Sequence, residues 1–290
     1  MTETAVGAQA QTTLAPEDLL NSVNSGVVVE RTAQLRAQFR SVGKRTALEL
    51  AEQINHKHQG AATVFVYEEA FGRRDRLHWL LHLRSLHDYA AVSSLFEDGL
   101  EGTGEGAGTD PMYVDGSVTE TLLIPQHWGM YGTDEALPEG AGIDTAKPNL
   151  VVPPAAGQTS LPADSLVHSG NSEIVIHRSA VTKYAFRAEA RMFARQITED
   201  INTHLPGVST SFLFEEAFGG ADYVHWLIHM KDLESYYDLI DMHQRMDQAT
   251  RDIYLNEIIA PAKGGGTWNR IFVEGSMGDV AFTPLRPDRS

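Results

Sequence analysis

The chain has no cysteine among its 290 residues. It therefore has no disulfide, no thiolate nucleophile and no thiolate ligand for a metal. Basic residues are also scarce, since 23 Lys and Arg stand against 39 Asp and Glu, for a formal net charge of −16. This charge argues against a nucleic-acid or anionic-membrane partner, either of which requires a basic face, and it favours neutral or cationic small molecules.

Long apolar runs are missing as well. No stretch approaches the roughly 20 apolar residues of a membrane-spanning helix. Met1–Ser25 has neither the basic start nor the apolar run of a secretion signal. From these absences we expect a cytoplasmic protein that does not enter a membrane.

What the chain does contain is an internal duplication. The segments Glu68–Gly72 (EEAFG) and His78–His82 (HWLLH) recur as EEAFG and HWLIH 147 positions later. At that offset, 63 consecutive residues starting at Val27 align without a gap, and 24 of them are identical. Two copies are too few for a solenoid, so the duplication predicts two homologous modules that pair with each other.

Apolar spacing predicts the same order of elements in both copies. A strand precedes a long amphipathic helix, a β-hairpin, a second helix and a final strand, which is the β-α-β-β-α-β order of a ferredoxin-like module. We predict the final strands at Val118–Ile124 and Thr267–Val273, and a longer second helix in the second copy. The predicted class is α+β: two tandem ferredoxin-like modules form an intramolecular dimeric α+β barrel, because the apolar faces of both sheets must be covered.

Composition sets the predicted domain limits. Residues 1–25 are rich in small and polar residues without periodicity, which is typical of a disordered tail. Residues 26–133 form the first module and residues 173–283 form the second. Residues 134–172, with many Pro, Gly, Ala and Ser, form a linker between them.

The hairpin of each copy carries the candidate catalytic side chains. Strand alternation puts His78 and His82 on one face of the first hairpin and Trp79 on the other. If the loop has four residues, Glu69 opposes His78 and Phe65 opposes His82. The equivalent pairs of the second copy are Glu216 with His225 and Phe212 with His229.

Two interpretations of the Glu–His pairs stay open. In the first, Glu69 and Glu216 orient His78 and His225, which act as general bases. In the second, the pairs are structural, and their presence in both copies favours this interpretation for at least one of them. A metal site is not expected, because two His four positions apart on a strand lie about 13 Å from each other.

Aromatic residues and the remaining His residues are candidates for substrate contacts. Trp79 and Trp226 face the helices, where they either fill the core or contact a ligand held between sheet and helices. His127 and Trp128 lie close to glycines after the last strand of the first copy, and this loop either covers a planar substrate or packs on the barrel mouth. The candidate substrate-binding residues are His82, His229, Tyr67, Phe214, Trp79, Trp226, His127 and Trp128.

The twin segments and the fused barrel resemble the dimeric α+β barrel superfamily, which includes antibiotic-biosynthesis monooxygenases, haem-degrading oxygenases, chlorite dismutases and small isomerases. Within it, the chain looks similar over nearly its whole length to the angucycline B-ring-cleaving oxygenases of jadomycin, kinamycin and gilvocarcin-type pathways. The resemblance implies a polycyclic aromatic polyketide as substrate, consumption of O2, and reduced flavin (FADH2 or FMNH2) as a diffusible cosubstrate from a flavin reductase. It also implies that His78 or His225 deprotonates a substrate phenol while Tyr67, Trp128 and Phe214 hold the rings.

Three functions therefore compete. The first is the polyketide oxygenase, the second is a cofactor-free polyketide cyclase or isomerase that uses the same Glu–His pairs, and the third is a ligand-binding barrel without oxygenase activity. Haem is a minor option that the resemblance implies, with a Trp of the third strand and a His of the following helix around it. His87 stands in a comparable place, but Glu234 replaces it in the second copy, with His243 a turn or more further along. The sequence leaves open whether the chain also forms a homodimer.

Overall fold

The structure is a computed structural model that describes residues 7–98, 110–126, 153–220 and 222–286. Its strands are β1 (Val27–Gln34), β2 (Ala62–Ala70), β3 (Arg76–Leu83), β4 (Thr119–Pro125), β5 (Ile174–Val181), β6 (Ser209–Glu216), β7 (Tyr223–Met230) and β8 (Gly278–Pro284). Its α-helices are α1 (Arg40–Lys57), α2 (Tyr89–Asp98), α3 (Arg187–His204), α4 (Ser235–Gln244) and α5 (Gln248–Leu255). The eight strands form one closed antiparallel barrel in the order β1-β3-β2-β8-β5-β7-β6-β4. The predicted mixture of helices and a barrel sheet is therefore confirmed.

Two compact units divide the chain. The first contains Met1–Leu123, His168–Val175 and Val280–Ser290, and the second contains Ile124–Val167 and Ile176–Asp279. Each unit has long helices that pack on its own hairpin strands, α1 on β2 in the first and α3 on β6 in the second. In the part of the chain that the structure describes, no helix has both the length and the apolar character that crossing a membrane requires.

The same side chain joins helix to strand in both copies. In the first unit, the Asn55 amide of α1 accepts the Val64 N–H at 2.6 Å and donates to the Val64 carbonyl at 3.1 Å. In the second unit, Asn202 makes the equivalent bonds to Ser211 at 2.7 and 3.1 Å. Both amides are buried, so these bonds satisfy polar groups that water cannot reach.

The prediction of a disordered tail over residues 1–25 is wrong for residues 7–25. Two 3-10 helices form at Gly7–Gln11 and Pro16–Asp18, and Ala8, Leu19, Leu20 and Val23 are buried. The Gln11 amide donates to the Val66 carbonyl at 2.6 Å and accepts the Val66 N–H at 2.9 Å. The segment is ordered because it satisfies the backbone of β2. Met1–Val6 lie outside the described residues.

The predicted linker over residues 134–172 contains a second copy of this segment. Residues 153–172 form 3-10 helices at Ala155–Gln158 and Ala163–Ser165. Gln158, 147 positions after Gln11, makes the equivalent bonds to Leu213, donating at 2.6 Å and accepting at 2.8 Å. The internal repeat therefore starts before the first strand of each copy.

The end of the second copy differs from the prediction. The last strand is β8 and not Thr267–Val273, where a 3-10 helix covers Trp268–Arg270. The predicted long second helix is two helices, α4 and α5. Twelve additional residues explain the later position of the last strand, because Phe272, which bridges to Thr182, stands 159 and not 147 positions after Tyr113, the bridging residue of the first copy.

Candidate functional site

The EEAFG segment shapes the tip of each hairpin. The Glu69 carboxylate folds back over the turn and accepts the Arg73 N–H at 2.6 Å, and Glu216 accepts the Gly220 N–H at 3.2 Å. A Cβ on Gly72 would lie only 1.7 Å from the Glu69 carboxylate oxygen, so the glycine gives the carboxylate its space. Both carboxylates therefore stabilise the turn of their hairpin by accepting a backbone N–H.

The first Glu of the segment forms an ion pair with the long helix of its own copy. Glu68 accepts from the Lys44 ammonium at 2.6 Å in the first copy. Glu215 accepts two hydrogen bonds from Arg191 in the second copy, one of them at 3.1 Å, and both side chains are buried. The repeated motif is accounted for by hairpin and helix contacts in both copies.

The register of the hairpins differs from the prediction by two residues. Tyr67 pairs with His78 across β2 and β3, and Thr63 pairs with His82, so the predicted opposition of Glu69 to His78 is wrong. In the second copy Phe214 pairs with His225 and Thr210 pairs with His229. A shift of two residues keeps every side chain on its predicted face, so Glu69 still lies near His78, on a diagonal.

His78 lies between two carboxylates. Its Nδ1 donates to Glu30 on β1 at 2.8 Å, while its Nε2 is 3.8 Å from Glu69. The imidazole is 3 % exposed and stacks on Phe282 with 4.7 Å between ring centroids. Sequence reasoning missed Glu30. The alternation of β1, which places residue 30 on the same face as His78 and His82, could have indicated it.

The second copy has a different group in the place of Glu30. His177 stands 147 positions after Glu30, and its Nε2 lies 2.8 Å from Nδ1 of His225. Nε2 of His225 lies 3.5 Å from Glu216. The first copy thus has a carboxylate–imidazole–carboxylate arrangement, and the second an imidazole–imidazole–carboxylate arrangement.

The other predicted substrate contacts on this face are fully buried. The Tyr67 hydroxyl donates to the Ser169 carbonyl at 2.5 Å, and burial raises the pKa of Tyr67 well above its ordinary value. Nε2 of His82 lies 2.9 Å from the Ser169 hydroxyl, and burial lowers the pKa of His82 to about 3. His229 and Phe214 are also buried. All four are core residues here, and a ligand would reach them only after displacement of their neighbours.

The opposite face of β7 borders a cavity inside the second unit. Its volume is about 80 Å³, room for several water molecules. Its lining residues are Arg178, Phe193, Ile197, Ile201, Trp226, Ile228, Tyr254, Trp268 and Met277. Trp268 stacks on Phe193 with 5.4 Å between centroids and 5° between planes, and Tyr254 stands edge-on to both rings. The cavity is therefore an aromatic-walled slot.

Two polar groups border this slot. Arg178 donates from Nε and Nη2 to the Asp279 carboxylate, both at 2.8 Å, and these bonds raise the pKa of Arg178. Burial raises the pKa of the Tyr254 hydroxyl to about 12, so it is protonated at neutral pH and can donate a hydrogen bond. A ligand oxygen would find a cation and a hydroxyl donor beside the rings.

The equivalent place in the first unit is filled by side chains. Trp79 meets Phe96 and Tyr113 edge-on, with centroid distances of 6.2 and 6.0 Å. Arg31, the equivalent of Arg178, lies over the Phe96 ring at 4.7 Å and pairs with Glu120 at 2.7 Å. The prediction that both Trp face the helices thus has two outcomes among the described residues: Trp79 packs on two aromatic rings, and Trp226 borders a cavity.

The predicted residues do not meet in one place. His225 and Trp226 are adjacent on β7, so their side chains lie on opposite faces of the sheet. The Glu–His pair and the aromatic slot of the second unit are consequently separated by the sheet itself. His127 and Trp128 lie outside the described residues. Among the residues that are described, no group of three or more His, Asp or Glu could hold a metal ion.

Three solved structures are similar to this chain over most of their length. A proposed monooxygenase of Fusobacterium nucleatum subsp. nucleatum is 8% identical, with a TM-score of 0.53 over 91% of this chain and 94% of that chain. A proposed monooxygenase of Lactobacillus acidophilus has 9% identity and a TM-score of 0.49 over 90% and 94%. A chlorite dismutase variant of Candidatus Nitrospira defluvii has 15% identity and a TM-score of 0.48 over 92% and 94%. The first of these likenesses shows that the barrel fold is shared.

The family is shown by the sequence itself. The chain belongs to DUF6039, a family of unknown function, which matches residues 1–290. None of the curated proteins matches the sequence.

Proposed function

We propose that this protein is an oxygenase that binds a planar phenolic aromatic in the slot of the second unit. The observation that carries the proposal is the set of four aromatic rings around a cavity with Arg178 at its border. Ring faces bind flat apolar molecules by stacking, and a few convergent polar groups fix their orientation. The name of the Fusobacterium nucleatum relative, a proposed monooxygenase, is in line with this class of reaction.

A phenol is the substrate class that suits the polar groups. Tyr254 donates a hydrogen bond, and the Arg178 guanidinium, which is paired with Asp279, has further N–H groups that can donate, so a phenol or phenolate oxygen is bound at this end of the slot. Electron density from that oxygen makes the ring carbons reactive towards O2. A cavity of about 80 Å³ holds one end of the molecule. The remaining rings of a polycyclic polyketide would lie at the rim, where Met277 is exposed.

Reduced flavin remains part of the proposal as a diffusible cosubstrate. Insertion of one oxygen atom with release of the other as water requires two additional electrons, which FADH2 or FMNH2 from a flavin reductase would supply. The slot is too small for the three-ring isoalloxazine beside a substrate ring. Haem fits less well, because the slot lacks a His ligand and has a small volume, and His87 is exposed on the other unit.

A cofactor-free cyclase or isomerase is the second candidate. The observation that favours it is the hydrogen bond between Glu30 and His78, which fixes one tautomer of a buried imidazole. On this proposal His78 or His225 moves a proton, and Glu69 or Glu216 acts beside it. Separate replacement of His78 and His225 by Ala tests it, since full turnover in both variants would contradict it.

Oxygen incorporation tests the main proposal. Purified protein is given 18O2 and a panel of polycyclic phenols, with and without FADH2 or FMNH2, and the products are analysed by mass spectrometry. We expect label in the product and about tenfold lower kcat/KM in Arg178→Gln, because one charge-assisted contact is lost. The matched control Arg31→Gln changes the equivalent residue of the first unit and should retain activity.

Each other outcome assigns a different function. Conversion without label or oxygen consumption would support the cyclase. A Soret band in the protein as purified would support a haem-binding barrel.

Sedimentation of the same sample would establish whether the chain forms the homodimer that the sequence leaves open.

A further inference from the structure

Helix α5 supplies Tyr254 to the slot, and the described residues of the first copy contain no equivalent of this helix. Its N-terminus is held against α3 by polar side chains. Asp247 caps the helix by accepting the Thr250 N–H at 2.9 Å. The Thr250 hydroxyl, buried at 1 % exposure, donates to both carboxylate oxygens of Asp200 on α3 at 3.1 and 3.0 Å. The position of one wall of the slot therefore depends on this contact.

His204, at the end of α3, completes the connection. Its Nδ1 lies 2.9 Å from the Asp200 carbonyl oxygen, and its Nε2 lies 3.1 Å from the Asp247 carboxylate. Both partners are acceptors only, so both ring nitrogens must carry a proton for both bonds to form. The geometry thus requires the imidazolium form of His204.

The groups around His204 agree with that protonation state. The backbone hydrogen bond to Asp200, followed by the bond to Asp247, raises the pKa of His204. The Asp200 carboxylate lies 3.3 Å from Nδ1, and burial raises the pKa of this carboxyl group. The bond from the Thr250 N–H lowers the pKa of Asp247. From α4, His243 interacts electrostatically with Asp200 and meets Tyr254 edge-on at 5.8 Å.

We propose that His204 is a positioning residue, whose imidazolium holds the start of α5 and thereby keeps Tyr254 at the wall of the slot. The effect on ligand binding rests on the proposed function, whereas the effect on α5 does not. Because the folded-state pKa lies above the unfolded value, the interaction is present below the unfolded pKa and is lost as pH rises through the folded pKa. Alkaline conditions should therefore release α5 and weaken binding in the slot.

The first copy offers a natural control for the charge. Lys57 stands at the position equivalent to His204, 147 residues earlier. A lysine keeps its positive charge across the range in which an imidazole loses it. His204→Lys therefore retains the cation and removes the titration, while His204→Gln removes the cation.

Hydrogen exchange of the α5 amides, divided by their intrinsic rates, tests the proposal without a ligand. Between about pH 6 and pH 9 we expect roughly threefold to tenfold faster exchange in the wild type, because a partly exposed charge-assisted bond is lost. His204→Gln should exchange fast at both ends of the range, and His204→Lys slowly at both. His56→Gln changes another ion-paired His near the end of a helix, in the first unit, and should behave as the wild type.

Binding of 2-naphthol, followed by tryptophan fluorescence over the same pH range, separates the two claims. Affinity that falls in parallel with α5 protection supports both of them. Absence of binding at every pH, with α5 exchange still dependent on His204, contradicts the proposed function alone. Equal α5 exchange in the wild type and His204→Gln, or a wild-type exchange ratio that does not change with pH, overturns the positioning role. The wild-type profile decides the question even if a variant fails to fold.

Discussion

The helix-facing sides of the two hairpins carry equivalent residues but are covered by different side chains. Trp79 and Trp226 are equivalent, as are Arg31 and Arg178. In the first unit Phe96 packs between Trp79 and Arg31, whereas in the second unit the corresponding region is a slot walled by Tyr254 and Trp268. Since the strand frame is common to both, the residues that differ between the copies are the better indicators of function.

The opposite faces of the hairpins, which carry His78 and His225, also differ between the two copies. His78 and His225 are equivalent, yet Glu30 is the partner of the first and His177 the partner of the second. A carboxylate only accepts a hydrogen bond from an imidazole, while a second imidazole can either donate or accept one. One duplicated frame thus carries two different hydrogen-bonding arrangements around its histidine.

The largest expected difference between the copies concerns the ion pairs that join each long helix to its hairpin. Arg191→Met removes the partner of a carboxylate, Glu215, that is 1 % exposed. We expect it to reduce the free energy of unfolding by about 3–5 kcal/mol, because a buried charge is left unpaired. The equivalent Lys44→Met should cost about 1 kcal/mol or less, because the Lys44 and Glu68 side chains are 15% and 28% exposed. Urea unfolding measures both, and equal losses would contradict this account.

Acid should destabilise the first unit through His82. Its folded-state pKa is about 3, below an unfolded value of about 6.5, so the unfolded chain binds the proton more readily. Stability is then lost as pH falls from about 6.5 towards 3, by up to about 4 kcal/mol. Thermal unfolding at a series of pH values should show a shallower decline in His82→Gln. The opposite sign holds at His204, whose contribution is lost as pH rises.

Substitution of a larger side chain at equivalent positions of the two units should distinguish a filled core from an open cavity. Leu50 and Ile197 are equivalent, and only Ile197 lines a slot in the described structure. Leu50→Phe overfills a packed region and should cost about 1–3 kcal/mol. Ile197→Phe has space for its ring and should cost less than about 1 kcal/mol. Urea midpoints compare the two, and a larger loss in Ile197→Phe would show that the slot is not open in solution.

Strand alternation and apolar spacing are the features of the sequence that predicted the fold correctly. Alternation correctly placed His78 and Trp79 on opposite faces, and apolar spacing located both long helices. The hairpin register failed because the loop is longer than four residues: the last paired residues are Glu68 with Leu77 and Glu215 with Val224. Turn contacts such as the bond from the Arg73 N–H to the Glu69 carboxylate are not visible in strand periodicity.

The ordered N-terminal segment was missed although the repeat extends into it. Gln11 and Gln158 occupy equivalent positions, and the residues after them are similar, but amphipathic periodicity is absent from both stretches. The order there comes from tertiary hydrogen bonds to β2 and β6, which composition does not reveal. The slot was missed for a similar reason, since α5 and Trp268 follow the stretch in which the two copies align without a gap.

Ligand binding by the enlarged variants tests the central claim most directly. Titration of 2-naphthol into the wild type, Leu50→Phe and Ile197→Phe, followed by calorimetry, compares the two units under identical conditions. We predict saturable binding to the wild type and to Leu50→Phe, and at least tenfold weaker binding to Ile197→Phe, whose ring occupies the slot. Unchanged binding to a folded Ile197→Phe protein would place the ligand elsewhere and contradict the assignment of the slot as the functional site.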